Sequence, residues 1–243
     1  MSPELSIVIP VHNEPDNIGP TLQRIASEVN TPHEIFVVYD FDADTTVPVV
    51  RDLQPELPTV RLHRNDIGRG VLNAMKAGIA ASTGPLVLIT MADGSDEMDR
   101  VDEMVRLGRN GAAVVAASRY MKGGGQVGGP MLKRLLSRAA GLSLHWFAGV
   151  PIHDATNNFK LYRRDFLDSV TIESTGGFEL AIELTAKATR ARLPMAEVPT
   201  TWRDRTAGAS RFDLRAWLPK YLRWYFHAVG GRLHARAGRS DVA

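Results

Sequence analysis

The feature that most constrains the fold is a short apolar run that ends abruptly in carboxylates. Residues 86–90, Leu-Val-Leu-Ile-Thr, have the composition of a strand buried on both faces. Asp93 and Asp96 follow at once, and neither can continue a buried strand. Because open α/β sheets bind their ligands at the carboxyl ends of strands, Asp93 is a candidate for a metal or phosphate-linked site. The alternative is that both carboxylates only cap a turn and the following helix.

The same arrangement recurs earlier in the chain. Residues 5–11 and 34–40 are apolar strand candidates, and the second ends in Asp40, with Asp42 and Asp44 close behind. Helical segments separate the predicted strands, which indicates an α/β fold with a doubly wound, mostly parallel sheet flanked by helices. Two strands that end in carboxylates at one sheet edge favour a binding site over simple capping. A dinucleotide-binding fold is disfavoured, because the first turn lacks the G-x-G-x-x-G pattern.

Composition narrows the protein class further. The 243 residues contain no cysteine, which excludes disulfides and thiolate metal sites. No apolar run approaches the ~18–20 residues of a membrane span, and no secretory signal is recognisable, so we expect a cytoplasmic protein. Residues 1–100 carry a net charge of −8 and the remainder +10. This asymmetry favours a cation-assisted site in the first part and an anionic surface or substrate in the second, unless the charges are only unevenly solvated.

The second half of the chain contains two amphipathic segments and a glycine-rich connector. Residues 123–129 are too rich in glycine for the interior of an element, and we expect a lid, a hinge or a plain flexible loop. Residues 130–149 and a helix from about Leu214 mix apolar, aromatic and basic side chains. In the last helix Lys220, Arg223 and His227 share one face. Such helices either pack on the core or rest on a membrane surface.

Seven motifs, taken in order, carry a resemblance to a known family. They are residues 6–14, 34–46, 65–78, 91–96, 118–120, 154–159 and 205–211. Together they cover nearly the whole chain and resemble family-2 glycosyltransferases of the GT-A fold, in the branch of dolichol- and polyprenyl-phosphate mannose synthases.

The resemblance implies that a nucleotide sugar, GDP-mannose or a UDP-hexose, binds over the carboxyl ends of the early strands. The implied donor-binding residues are Pro10, Val11, Asn13, Glu14, Asp40, Asp42, Met91, Ala92 and Asp93. Asp93, as a catalytic residue, and Ser95 would hold Mg²⁺ or Mn²⁺ with the donor diphosphate. A divalent ion suits this chemistry because the departing nucleoside diphosphate gains negative charge.

The resemblance also implies a polyprenyl phosphate acceptor. Its phosphate would be gripped by Arg119, Lys133, Ser137 and Arg205, and Asp154 would be a second catalytic residue with an orienting or electrostatic role. A phosphate monoester, with its second pKa near ~6, is already ionised at neutral pH and needs no general base to attack the anomeric carbon. The family's usual outcome is inversion in a single displacement.

Two motifs depart from the family pattern. The D-x-D triplet reads Met91-Ala92-Asp93, which leaves one acid, and the second-strand motif reads Asp40-Phe41-Asp42 in place of Asp-Asp-Gly-Ser. The first departure reduces the number of metal ligands that the protein supplies, although Asp42, Asp44 and Asp96 are candidates for compensation. The second departure leaves the identity of base and sugar open.

The sequence as a whole predicts a metal-dependent, inverting glycosyltransferase that moves a hexose, mannose favoured, to polyprenyl or dolichyl phosphate. Residues 1–211 would form the GT-A domain and residues 212–243 a basic, aromatic helix and tail. We expect a peripheral protein on the cytosolic membrane face and no nucleic-acid partner, with a membrane subunit or a homo-oligomer left open. The alternatives are transfer to a glycan or soluble acceptor, and a non-catalytic module that binds nucleotide or membrane.

Overall fold

A computed structural model describes residues 2–128, 131–204 and 218–230, with Leu132 and Lys133 described by their backbone alone. The strands are β1 (Leu5–Pro10), β2 (His33–Tyr39), β3 (Val60–Arg64), β4 (Leu86–Ile89), β5 (Val114–Ser118), β6 (Gly125–Val127), β7 (Lys160–Arg163), β8 (Met195–Pro199) and β9 (Thr201–Arg203). The helices are α1 (Pro15–Glu28), α2 (Thr46–Leu53), α3 (Val71–Ala81), α4 (Val101–Arg109), α5 (Met131–Ser143), α6 (Arg164–Ser169), α7 (Leu180–Arg190) and α8 (218–230).

The main sheet has seven strands in the order β3-β2-β1-β4-β7-β5-β8. Neighbouring strands are parallel except at β7, which runs antiparallel to both β4 and β5. Alternate residues of β1 serve opposite faces: Ile7 packs in a core with α1, α2 and α4, whereas Val8 packs in a core with α3, α6 and α7. The predicted doubly wound, mostly parallel α/β fold is therefore confirmed.

The reversed strand β7 determines which loops meet at the functional edge. Lys160, its first residue, pairs with Ile89 at the end of β4 and with Ala116 in β5. The loop that leads into β7 therefore lies at the same edge where β4 and β5 end. This brings residues 154–159 next to the loop that follows β4.

The expectation for residues 123–129 was wrong in one respect. Residues 125–127 form β6, which pairs in parallel with β9 in a small second sheet, while residue 129 lies outside the described part. A side chain at Gly124 would place its Cβ 2.3 Å from the Ser118 carbonyl oxygen, so glycine here allows a close backbone approach rather than free motion. Residues 195–203 form two short strands, β8 and β9, and the short helix α6 was not predicted.

The last described helix packs on the main body through one face. Trp224 and Ala228 of α8 are buried in a cluster with Leu144 and Ile182, and the Tyr221 hydroxyl donates to the Phe178 carbonyl at 2.9 Å. Its opposite face exposes Leu218, Leu222 and Phe226. Across the described ranges, no helix combines the length and the apolar character needed to cross a bilayer.

Candidate active site

Hydrogen bonds between loops join residues 10–14, 40–46 and 65–70. We call these residues the donor edge, after the role predicted for several of them. Asn13 adopts a left-handed conformation, with φ 54°, and its backbone N–H donates to Asp44 Oδ1 at 3.0 Å. The Asn13 side chain returns the link by accepting from the Thr45 N–H at 3.1 Å. The Glu14 N–H donates to the Thr46 hydroxyl at 2.9 Å. Hydrogen bonds therefore join the loop after β1 directly to the loop after β2.

Asp40 connects this edge to the loop before α3. Its Oδ1 accepts from the Asn65 side chain at 2.7 Å, and its Oδ2 accepts from the Gly70 N–H at 2.8 Å. Asp42 is exposed and lies 3.4 Å from Arg64 Nε. Pro10, the last residue of β1, and Val11, which follows it, are both buried. The structure thus brings the predicted donor-binding residues of the first two strands to one place.

The Asp93 loop, residues 90–97, follows β4 at the neighbouring position. Asp93 Oδ1 accepts from the Ser95 N–H at 3.1 Å and from the Ser95 hydroxyl at 2.5 Å. Ala92 is buried, and its carbonyl accepts from the Thr21 hydroxyl at 2.9 Å, while Met91 is half-buried. The loop therefore holds Asp93 and Ser95 side by side.

Two of the acids considered as replacements for the missing one point into the protein. Asp96 is buried and accepts from the Thr90 hydroxyl at 2.7 Å, and Asp44 is buried among backbone N–H groups. Burial, together with the charge of Asp93, raises the pKa of Asp96 to about 7. Within the described ranges, no three His, Asp or Glu side chains converge in a metal-binding group.

The residues of the Asp93 loop still fit a hard divalent ion. Carboxylate and hydroxyl oxygens are the donors that such ions prefer, and Mg²⁺ commonly binds through one or two carboxylates plus substrate phosphates and water. Asp93 and Ser95 supply donors of this kind. A metal held here would depend on the donor diphosphate for much of its coordination.

The second half of the site is a buried ion pair. Arg119 follows β5, and its Nε lies 2.7 Å from Asp154 Oδ2, while a second guanidinium nitrogen donates to Asp154 Oδ1 at 3.0 Å. Burial alone would raise the pKa of Asp154, but the charge and hydrogen bonds of Arg119 outweigh it and lower that pKa to about 2. The pair is therefore ionised across the physiological range.

A chain of hydroxyls lies on this ion pair. The Tyr120 hydroxyl donates to Ser137 Oγ at 2.8 Å, and Ser137 Oγ lies 2.9 Å from Thr156 Oγ1. Thr156 also lies 3.1 Å from Asp154 Oδ1. Because the ionised Asp154 can only accept, Thr156 must donate to it, and Ser137 in turn donates to Thr156. The hydrogen bonds therefore run in one direction, from Tyr120 through Ser137 and Thr156 to the carboxylate.

Lys160 lies beneath this cluster and was not predicted. It is fully buried at the start of β7, and its Nζ donates to the carbonyl oxygens of Asp154, at 3.0 Å, and of Asn157. Burial lowers the pKa of Lys160 to about 7, against the opposing effect of the Asp154 charge. The available signal was a lysine directly before two residues, Leu161 and Tyr162, with the character of a buried strand.

We call Arg119, Tyr120, Ser137, Asp154, Thr156 and Lys160 the acceptor cluster. Of the predicted acceptor residues, Arg119, Ser137 and Asp154 lie together in it. Arg205 lies outside the described residues, as does the side chain of Lys133. The cluster adjoins the Asp93 loop closely enough for the Arg119 charge to oppose the rise in the pKa of Asp96. Tyr120, Thr156 and Lys160 were missed, although the first two lie within motifs that the sequence had singled out.

Comparison with known proteins places this geometry in a family. The family model for glycosyl transferase family 2 matches residues 6–171. A polyprenol monophosphomannose synthase from Mycolicibacterium smegmatis is 27% identical over 96% of this chain and 89% of its own length. An undecaprenyl-phosphate mannosyltransferase from Micrococcus luteus is 27% identical over 95% of this chain and 98% of its own length.

Solved structures show the same fold at lower identity. Glucosyl-3-phosphoglycerate synthase from Mycobacterium tuberculosis, in complex with Mn²⁺, UDP and glucosyl-3-phosphoglycerate, superposes with a TM-score of 0.67 at 18% identity, over 94% of this chain and 80% of that one. A mycobacterial protein reaches a TM-score of 0.73 at 19% identity, over 94% of this chain and 75% of that one. Because the family model covers residues 6–171, more than half of the sequence, the chain belongs to glycosyl transferase family 2 and is a glycosyltransferase.

Proposed function

We propose that this glycosyltransferase moves a hexose, with mannose the first candidate, from a nucleotide sugar to the phosphate of a polyprenyl phosphate, with inversion and with a divalent cation. The observation that carries the proposal is that two groups of residues with different chemistry, the Asp93 loop and the acceptor cluster, adjoin at one edge of the sheet. The Asp93 loop offers oxygen ligands, and the acceptor cluster beside it offers a guanidinium with three hydroxyls. The relatives named as mannosyltransferases of polyprenyl phosphates support this choice of substrates.

On the donor side, Asp93 and Ser95 would hold Mg²⁺ or Mn²⁺ together with the diphosphate. The ion would neutralise charge on the departing nucleoside diphosphate. The loops of the donor edge would hold the nucleotide in one position, because hydrogen bonds join Asn13 to Asp44 and to Thr45. A pre-formed edge lowers the entropy lost on binding.

On the acceptor side, the ion pair is suited to positioning rather than to proton transfer. Asp154 is buried and has a pKa of about 2, so it is a poor general base. A phosphate nucleophile does not require one, since it is ionised at neutral pH. Asp154 instead fixes the guanidinium of Arg119, whose second nitrogen also reaches the Ser137 hydroxyl at 3.3 Å. A phosphate beside Ser137 would therefore meet a guanidinium already held in place.

The surface around the cluster favours a lipid acceptor over a soluble one. Helix α5 carries Ser137 and also exposes apolar side chains. The π-helical turn that follows it, Leu144–Ala148, exposes the side chains of Trp146 and Phe147, at 68% and 70%. Exposed apolar residues near the cluster's helix and on α8 are Met131, Leu135, Leu136, Leu218, Leu222 and Phe226. Apolar residues with Arg134 and Arg138 nearby suit a membrane interface with anionic lipids. A soluble glycan or phosphorylated acceptor would leave this surface without a role.

The test is a transfer assay with the full chain. Purified protein, Mn²⁺ and polyprenyl phosphate in vesicles are mixed with radiolabelled GDP-mannose or UDP-glucose, and label is counted in the organic extract. We expect label with one donor at least, a loss of at least ~100-fold in Asp93→Ala, and a ~10- to 100-fold loss in Ser137→Ala. The matched control is Asp165→Ala, an exposed carboxylate paired with Arg163, which should retain full activity.

The outcomes separate the alternatives. Transfer to a soluble phosphorylated acceptor but not to the lipid would contradict the polyprenyl assignment. Substituting Trp146 and Phe147 together by serine should reduce vesicle flotation without lowering nucleotide binding. Nucleotide binding that persists with no transfer to any acceptor would argue for a non-catalytic module.

A further inference from the structure

The donor edge presents an aromatic side chain at the position where the sequence departs from its family. Phe41 follows β2 and is half-buried. The ring of His12 meets it edge-on, with centroids 5.3 Å apart and planes at 67°. The guanidinium carbon of Arg69 lies 5.2 Å from the centroid of the Phe41 ring. His12 and Arg69 are both exposed, so three loops bring a ring, a cation and a second ring to the open side of the edge.

Hydrogen bonds between the loops hold the segments that carry this group of side chains. The Asn13 and Asp44 hydrogen bonds fix the segments that carry His12 and Phe41. Arg69 lies between Gly68 and Gly70, whose φ angles of 138° and 125° few other residues adopt. An aromatic ring with a guanidinium beside it is suited to stacking on a flat ligand.

Asp40 contributes to this surface indirectly. Both of its oxygens face the loop before α3, one accepting from Asn65 and the other from Gly70. Its carboxylate is therefore engaged in placing the loop that carries Arg69. Asp40 thereby positions this loop, and with it Arg69, beside the ring of Phe41.

We propose that Phe41 and Arg69 form the nucleobase-binding surface, and that they bind the base by stacking rather than by reading its hydrogen-bonding edge. The proposal rests on the nucleotide-sugar donor of the proposed function. Stacking tolerates different bases because every base has a π face, and an arginine guanidinium can stack on such a face as well. The enzyme should consequently bind purine and pyrimidine nucleoside diphosphates with similar affinity.

The experiment is calorimetric titration of the full chain, in Mn²⁺, with UDP, GDP and inorganic pyrophosphate. We expect the dissociation constants of UDP and GDP to lie within about 5-fold of each other. Phe41→Ala should weaken both by about 5- to 100-fold, the range of alanine substitutions that remove a base-stacking ring. Phe41→Tyr should bind both like the parent protein, and pyrophosphate, which has no base, should bind all variants equally. Asp165→Ala, an exposed residue outside the donor edge, is the control.

Other results would overturn the inference. Unchanged UDP and GDP binding in Phe41→Ala would exclude stacking on this ring while leaving the proposed function intact. A preference of more than about 30-fold for one base in the parent protein would show that the base edge is read. If the parent protein bound pyrophosphate but neither nucleotide, the donor assignment of the proposed function would fail together with this inference.

Discussion

The donor edge and the acceptor cluster lie at the same end of the sheet but hold their charges in opposite ways. At the donor edge, Asp42 is exposed, and the loops are joined mainly by hydrogen bonds from backbone N–H groups. In the acceptor cluster, a guanidinium and a carboxylate neutralise each other in the interior. A ligand that arrives with a metal ion needs accessible oxygens, whereas a charged phosphate needs donors whose positions do not change. The two halves should therefore respond differently to mutation.

The largest effect on stability should come from Asp154→Asn. Removing one partner of a buried ion pair leaves the Arg119 charge uncompensated, which typically costs about 3–5 kcal/mol of unfolding free energy. Urea unfolding at pH 7 measures this loss, with Asp165→Asn as the exposed control. A loss of unfolding free energy below about 1 kcal/mol would mean that the charge of Asp154 contributes no more to stability than an exposed carboxylate does.

The same ion pair should make the unfolding free energy of the parent protein fall at acid pH. The pKa of Asp154 is about 2 in the folded chain and ~3.9 in unfolded chains, so its stabilising contribution is complete above pH ~4 and is lost as the pH falls toward 2. Asp154→Asn should lack this part of the acid dependence.

An intermediate effect should follow from Lys160→Met, and it should depend on pH. The folded pKa of Lys160 is about 7 and the unfolded value is ~10.4, so the unfolded chain binds more protons between these limits. The parent protein should therefore gain about 2–3 kcal/mol relative to the variant between pH 7 and 9.5. Urea unfolding of both proteins at the two pH values gives this difference, because other alkaline titrations are shared. A difference that does not vary with pH would show that Lys160 stays charged in the fold.

The smallest effect on stability should come from Asp93→Asn. The side chain accepts from Ser95 two residues away, and an amide oxygen can accept the same hydrogen bonds, so we expect a change within about 0.5 kcal/mol. Thermal unfolding checks this, and titration with Mn²⁺ plus UDP should show that metal-assisted binding is lost. A large destabilisation would mean that the Asp93 loop, like the acceptor cluster, depends on its carboxylate for folding.

Much of the fold was predictable because its signals are local. The apolar strands predicted over 5–11, 34–40 and 86–90 are set by composition, and the structure places them within a residue or two of those bounds. The position of β6 was not predictable, since Gly124 just before it is explained by a close approach to Ser118 of β5, and β6 itself pairs with β9 much later in the chain. Long-range backbone pairing leaves little trace in a short window of sequence.

The sequence predicted several residues of the site but not the hydrogen bonds and ion pairs that join them. The motifs identified Arg119 and Asp154, but the bidentate pairing depends on the reversal of β7, which no single motif encodes. Lys160 escaped because its partners are carbonyl oxygens, and backbone acceptors carry no residue type for a pattern to detect. The same holds for Asp40, whose carboxylate is engaged by a backbone N–H thirty residues away.

The antiparallel strand β7 also bears on the order in which the chain assembles. Strands β1 to β4 span residues 5–89 and pair with one another, whereas β7 joins β4 to β5 and cannot do so until residue 163 has left the ribosome. Pairings between distant segments form late, because loop closure must precede them. During synthesis, the nascent chain can therefore build the half that carries the donor edge while the edge of β4 stays unpaired. That open edge makes the interval before β7 docks the one in which the nascent chain is most exposed to aggregation.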